Sequence, residues 1–247
     1  MSLFTKTRLV GWLVMSLAFS AWGQTLTVVT EEYPPYNFQD ISSKKISGMA
    51  TEVVEEVLKR TNISYKLGLY PWARAYQMAQ DAPNVLIYSI GRNEQREALF
   101  KWVDVIAPYD VYLYRLRSRP EVKVQSMEDI RNFKIGAVRD DVRAQYLEKA
   151  QVSMDLVVED SANAKKLASR RIDLFPIDEL AMVALYKREG LDPAGVVKAF
   201  KLDALSTGLY MAFSKQTSDD VVRKCRAALA EIKKDGTFER IRAKYLK

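Results

Sequence analysis

Twice along this chain a short apolar run, an amphipathic stretch and another short apolar run follow one another, and that repetition constrains the fold more than any other feature. In the first series, Leu26-Thr27-Val28-Val29 reads as a strand. Residues 51–60 then put Val53, Val54, Val57 and Leu58 at helical spacing, 63–69 return to strand character, 72–80 read as a second helix, and Val85-Leu86-Ile87-Tyr88 as a buried strand. The second series opens on Ser126-Met127-Glu128-Asp129, which caps a short helix before the strand at 134–138. Asp140 or Asp141 caps a helix over 142–150, Val157-Val158 is a short strand, 161–169 a helix, and 172–177 a strand ending at Asp178. Parallel strands need a helical crossover, so each series predicts an α/β lobe. Extended stretches at 109–116 and 209–214 carry the chain out of the first lobe and back, and two crossings make a hinge.

The chain closes with helix over 221–247. Cys225, Leu229 and Ile232 lie on one stripe, Gly236 is a stop, and Phe238, Ile241 and Tyr245 follow on a last helix. Cys225 on that stripe reads as a small buried apolar residue. It is the only cysteine, and histidine is absent, which excludes Ser-His-Asp triads, Cys-His dyads, histidine zinc sites and internal disulfides.

Lys6 and Arg8 precede an uncharged apolar run from Leu9 to Trp22, followed by small residues around Gly23. That order reads as an export signal over residues 1–23, cleaved after Gly23; a membrane anchor is the competing reading, but the run is shorter than the roughly 20 apolar residues a spanning helix needs. The formal net charge is +7, and losing Lys6 and Arg8 leaves +5. The basic residues alternate with acids through 115–143, so they form a solvated surface and no nucleic-acid face. After the first strand, Glu31-Glu32-Tyr33-Pro34-Pro35-Tyr36 is an aromatic loop stopped by two prolines, and loops at strand carboxyl ends are where α/β proteins bind ligands.

Eight short segments, in order, resemble the bacterial extracellular solute-binding proteins of family 3, the polar amino-acid type that serves ABC importers. They are Glu32-Tyr33-Pro34-Pro35-Tyr36, Gly48-Met49-Ala50-Thr51-Glu52, Glu94-Gln95-Arg96, Pro108-Tyr109, Ser126-Met127-Glu128-Asp129-Ile130, Arg171-Ile172-Asp173, Asp178-Glu179 and Asp235-Gly236-Thr237. The resemblance implies an α/β, periplasmic binding protein-like fold, with two α/β lobes joined by two hinge strands. Lobe 1 is then discontinuous, 24–110 plus 210–247, with lobe 2 over 111–209. It also implies a periplasmic monomer that captures a small ligand, an amino-acid-like zwitterion or an amine, and hands it to a permease in the inner membrane. No cofactor and no metal enter this reading.

A free amino acid carries a carboxylate and an ammonium, so a dry site for it needs a fixed cation and a fixed anion. An arginine fork binds a carboxylate through two parallel bonds. By position the resemblance makes Arg96 the carboxylate clamp and Asp178 the ammonium partner, but Arg92, four residues earlier, is an alternative clamp. The family's hydroxyl positions before the arginine hold Gly91 and Asn93 here, and Ser89 is the nearby hydroxyl. The family's Gly-Thr loop reads Asp140-Asp141, and two acids there repel an anion and favour a cationic group. Tyr33 matches the stacking tyrosine, Tyr36 is its neighbour, and Trp72, with Arg74 beside it, lies where the second ring is expected. Phe100 and Trp102 are left to the core.

Two rival functions share the fold. A periplasmic dehydratase would use a cleft carboxylate as acid or base, with Glu179, Asp140 or Asp141 as the candidates. A sensing module would report the ligand through a separate receptor. The expectation is binding without chemistry.

Overall fold

A computed structural model of the chain describes residues 25–246; the export signal read over 1–23 lies outside the described residues. Strands β1 (Leu26–Thr30), β2 (Phe38–Gln39) and β3 (Ile46–Ser47) lead into helix α1 (Met49–Thr61). Then follow β4 (Tyr65–Leu69), α2 (Trp72–Asp81), β5 (Val85–Gly91), α3 (Glu94–Glu97) and β6 (Phe100–Ala107). β1 runs parallel to β4 on one side and to β5 on the other. β5 is buried along its whole length, as the apolar run Val85-Leu86-Ile87-Tyr88 predicts for a central strand covered on both faces.

The chain then crosses to β7 (Val111–Leu116), β8 (Ile135–Val138), α4 (Val142–Lys149), β9 (Met154–Val157), α5 (Asp160–Ala168), β10 (Phe175–Asp178), α6 (Glu179–Arg188) and β11 (Val196–Lys201). It returns as β12 (Leu209–Ser214), which lies antiparallel between β5 and β6 and completes a five-stranded sheet in the order β4-β1-β5-β12-β6. Helices α7 (Asp219–Lys234) and α8 (Thr237–Ala243) finish the chain. Val53, Val54, Val57 and Leu58 of α1 are buried as their spacing predicts, and so are Cys225, Leu229 and Ile232 of α7, on a neighbouring helix. Gly236, with φ 80°, turns the chain between α7 and α8. No described helix is long and apolar enough to cross a membrane.

The second lobe departs from the expected sheet in two ways. Its parallel ladder joins only β8 and β9, with a single further bridge from Ile135 to Leu174, while β10 pairs antiparallel with β7. β10 is an edge strand in the order β10-β7-β11, a position that tolerates Pro176, which has no N–H to donate. The strand read at Val157-Val158 lies earlier, at Met154–Val157, because register with β8 pairs Val138 with Val157; Val158 is exposed.

Two glycines hold the parts that build the cleft. The α1 amides of Met49 and Ala50 donate to the carbonyls of Pro35 and Tyr36, at 2.9 Å each, tying the aromatic loop to the helix N-terminus. Gly48, with φ 124°, allows this, since a Cβ there would lie 2.4 Å from the Tyr36 oxygen. Gly91, at the end of β5, faces α4 of the other lobe, where a Cβ would lie 2.6 Å from Val142 Cγ1.

Candidate functional site

All six charged side chains that are buried among the described residues belong to the region where the two lobes meet: Glu31, Arg96, Asp141, Arg143, Asp160 and Asp178. Burying a charge costs several kcal/mol unless it is paired and hydrogen-bonded, so such a concentration needs an explanation beyond packing.

Asp178 sits at the end of β10 and caps α6, accepting from the amides of Leu180 and Ala181 at 3.0 and 3.1 Å. Its other partners come from lobe 1: the Tyr33 hydroxyl donates to Oδ2 at 2.6 Å and the Tyr36 hydroxyl to Oδ1 at 2.8 Å. The two rings stack on each other with centroids 5.5 Å apart. Burial raises the Asp178 carboxyl above its ordinary value, against the lowering effect of Tyr33, the Ala181 amide, Tyr36 and Arg143. No cation lies within ion-pair distance of it among the described residues.

Arg96 lies in α3, where Asn93 caps the helix by accepting from the Arg96 amide and so turns this side chain inward. The guanidinium donates to the Gly91 carbonyl at 2.9 Å, to the Asp140 carbonyl at 2.7 Å and to Gln145 Oε1 at 3.0 Å, the last two across the cleft. It also stands over the rings of Tyr76, at 4.8 Å, and Trp72, at 5.3 Å. The Trp72 indole N–H reaches over to the same Asp140 carbonyl at 2.8 Å. Arg96 is fully buried and has no carboxylate within ion-pair distance among the described residues. Burial lowers its basicity, with Asp141 opposing that effect.

Arg143, which sequence reasoning left among the surface charges, is buried at the centre of lobe 2's face of the cleft. It donates to both oxygens of Asp141, at 2.6 and 3.0 Å, to Asp160 at 2.9 Å and to the Pro176 carbonyl at 3.0 Å, and it stands 5.5 Å over the Tyr33 ring. Asp141 also caps α4 through the Arg143 amide. Burial pushes the Asp141 carboxyl up, but Arg143, helped by Arg96, holds it below its ordinary value. Burial raises Asp160 to about 6, with Asp141 and Asp178 adding to it and Arg143 opposing. The two acids read as repelling an anion are therefore not equivalent. Asp141 is neutralised by its own helix's arginine, and Asp140, at φ 59°, contributes its carbonyl and is exposed.

The other residues read as candidates are dispersed. Ser89, in the left-handed region at φ 58°, donates to Asn37 Oδ1 at 2.5 Å and is buried. Arg92 turns away from the buried cluster to grip Glu97, through Nε at 2.7 Å and Nη2 at 2.6 Å, beside Trp102 and Tyr210. Arg74 is exposed over the Tyr70 ring. Glu31, Arg143, Gln145 and Asp160 are cleft residues that the sequence reading missed; the signal at hand was an arginine two residues after Asp141 on the first turn of a capped helix. No group of three or more His, Cys, Asp or Glu is placed to hold a metal among the described residues.

Arg96, from lobe 1, has the chemistry to pair an anion, and Asp178, from lobe 2, the chemistry to pair a cation. The family model described as bacterial extracellular solute-binding proteins, family 3, matches residues 26–247. The L-cystine-binding protein TcyJ of Escherichia coli (strain K12) is 22% identical over 228 residues, 90% of this chain and 82% of the relative. Among solved structures, a histidine kinase sensor domain with similarity to periplasmic binding proteins superposes with a TM-score of 0.79 at 19% identity, over 90% of this chain and 96% of that one. An ancestral arginine-binding protein bound to arginine gives 0.78 at 23%, over 90% and 98%. These structural likenesses establish the fold: α/β, periplasmic binding protein-like, with two lobes joined by two hinge strands.

Proposed function

Since the chain belongs to the bacterial extracellular solute-binding proteins of family 3, we propose that it captures a small amino-acid-like ligand between its two lobes, in the periplasm, for delivery to an ABC importer. One observation carries this reading. The interlobe cleft buries a guanidinium without a carboxylate partner, Arg96, and a carboxylate without a cationic partner, Asp178, the two together being the complement of a zwitterion. Each bears the cost of an uncompensated buried charge, and a ligand that pairs both relieves it. The relatives support the ligand class: one is named for L-cystine binding, and a solved neighbour is described as bound to arginine.

Closure follows from the same contacts. Tyr33 and Tyr36 of lobe 1 meet Asp178 of lobe 2, and Arg96 and Trp72 of lobe 1 meet the Asp140 carbonyl of lobe 2. A ligand held by both walls shifts the population toward the closed form, whose composite surface the permease reads. The hinge is formed where β6 passes to β7 and β11 to β12, dividing the chain into lobe 1 at 24–110 plus 210–247 and lobe 2 at 111–209, with residues 1–23 removed on export. The protein acts as a monomer and binds without transforming its ligand.

The test is a thermal-shift screen of residues 24–247 against amino acids, amines, short dipeptides and small organic acids, since a ligand that binds only the native state raises the melting temperature. A shift with one class, lost in Asp178→Asn, supports capture; no shift with any class contradicts it.

A further inference from the structure

Both ends of one lobe 2 helix touch the same short loop of lobe 1. α6 begins beside Asp178, its cap, whose carboxylate receives the Tyr33 and Tyr36 hydroxyls, and ends at Arg188. Arg188 Nη2 forms an ion pair with Glu32 Oε1 at 2.9 Å and donates to the Gln39 carbonyl at 3.1 Å. The guanidinium also stands 5.8 Å over the Phe38 ring. Glu32 and Tyr33 are neighbours in sequence, yet they reach opposite ends of a ten-residue helix about 15 Å long.

The loop that makes these contacts is closed on itself. The Tyr33 amide donates to the Asn37 carbonyl at 2.7 Å and the Asn37 amide to the Tyr33 carbonyl at 3.1 Å. Glu32 Oε2 accepts from the Gln39 amide at 3.1 Å, which ties the ends of the loop together. A loop and a helix built in this way move as units, so docking at one end of α6 brings the other end into register.

Away from the hinge strands, one other ion pair joins the lobes among the described residues, Lys149 with Glu94 at 3.2 Å. Its side chains are 68% and 89% exposed, and pairs that exposed contribute little. The side chains of Arg188 and Glu32 are 27% and 30% exposed, and Arg188 has the Gln39 carbonyl as a second acceptor and a helix C-terminus behind it. The magnitudes favour Arg188 as the contact that matters.

We propose that Arg188 is a positioning residue: with Glu32 and the Gln39 carbonyl it forms a clasp at the rim that favours the closed arrangement of the lobes, so that ligand retention is set in part from outside the Arg96 and Asp178 site. The effect on ligand rests on the capture reading; the clasp itself does not.

The experiment is small-angle X-ray scattering of residues 24–247 as wild type, Arg188→Gln, Arg188→Glu and the exchange Glu32→Arg/Arg188→Glu, each checked for folding by circular dichroism. Arg188→Gln removes the contact and Arg188→Glu sets like charges face to face, so both should enlarge the radius of gyration. The exchange restores opposite charges and should bring it back toward wild type. Lys149→Glu, the same change in net charge at the exposed pair, should leave it unchanged. A wild-type particle no more compact than folded Arg188→Gln and Arg188→Glu overturns the clasp, and so does an equal enlargement by Lys149→Glu. With the ligand found in the thermal-shift screen, Arg188→Gln should bind about threefold to tenfold more weakly, through faster release, and the difference should shrink at high salt. Undiminished affinity in folded Arg188→Gln overturns the hold on ligand and leaves capture intact. Binding of no ligand at all contradicts capture, and the scattering still decides the clasp.

Discussion

The Tyr33 hydroxyl donates to the Asp178 carboxylate across the cleft, at 2.6 Å, so the residue that would receive a ligand's ammonium also latches the two lobes. The Tyr36 hydroxyl duplicates the latch on the other oxygen, which also caps α6. Asp178→Asn should keep most of the cap while removing the charge. We expect a melting temperature within a few degrees of wild type and ligand affinity reduced by a factor of about ten to a hundred, the range of a lost charged hydrogen bond. Tyr33→Phe should cost less, because Tyr36 remains. Titration calorimetry on both variants checks this.

Arg143 should behave as structure more than as recognition. Arg143→Met strands Asp141 and Asp160 in a buried site, and breaking a buried pair from one side costs about 3–5 kcal/mol. For a chain of this size that is on the order of 10 °C in melting temperature. Thermal melts of Arg143→Met alone and with Asp160→Asn measure it; the double variant should recover part of the loss.

The pH dependence of stability has a defined sign. Asp160 titrates at about 6 in the folded protein and at 3.8 ordinarily, so between those values the folded state binds more protons. Its contribution is fully present below about 4, is lost as pH rises through about 6, and is constant above, with a size on the order of 3 kcal/mol. Glu31, raised by burial and by the nearby Asp141 and Asp160 against Arg143 and Arg96, acts in the same direction, and so does Asp178. Asp141, held low by Arg143 and Arg96, acts oppositely, its stabilisation being lost as pH falls below the ordinary carboxylate range. Denaturant midpoints should therefore fall from pH 4.5 to 7, and Asp160→Asn should flatten that slope.

The lobes and their helices were legible because their signals are local. Two prolines end the first strand, the α1 and α7 stripes repeat at helical spacing, and Asp178 closes a strand before a helix it caps. Arg92 and Arg96 were indistinguishable in sequence, since both precede the same helix or lie in it. What separates them is Asn93, whose cap on the Arg96 amide sends Arg96 inward while Arg92 reaches Glu97 on the outside. Glu31 and Arg143 were illegible for a different reason. The other lobe contributes to the cover over each: Glu31 lies in a cavity closed by Val158 and Glu159, and Arg143 lies over Tyr33. Charge alternation along 115–143 made Arg143 read as surface, and nothing in the spacing of residues encodes how far two lobes close.

Closure around a ligand is the central claim, and Gly91 tests it most directly. Its missing side chain is what lets β5 approach Val142 of α4, a contact between the lobes and not within either. Calorimetric titration of wild type and Gly91→Val with the ligand found in the thermal-shift screen is the measurement. The account predicts one ligand per wild-type chain, and a Gly91→Val protein that melts as wild type does but binds at least about tenfold more weakly. Undiminished binding by a folded Gly91→Val protein would contradict it, because the ligand would then not require the lobes to meet.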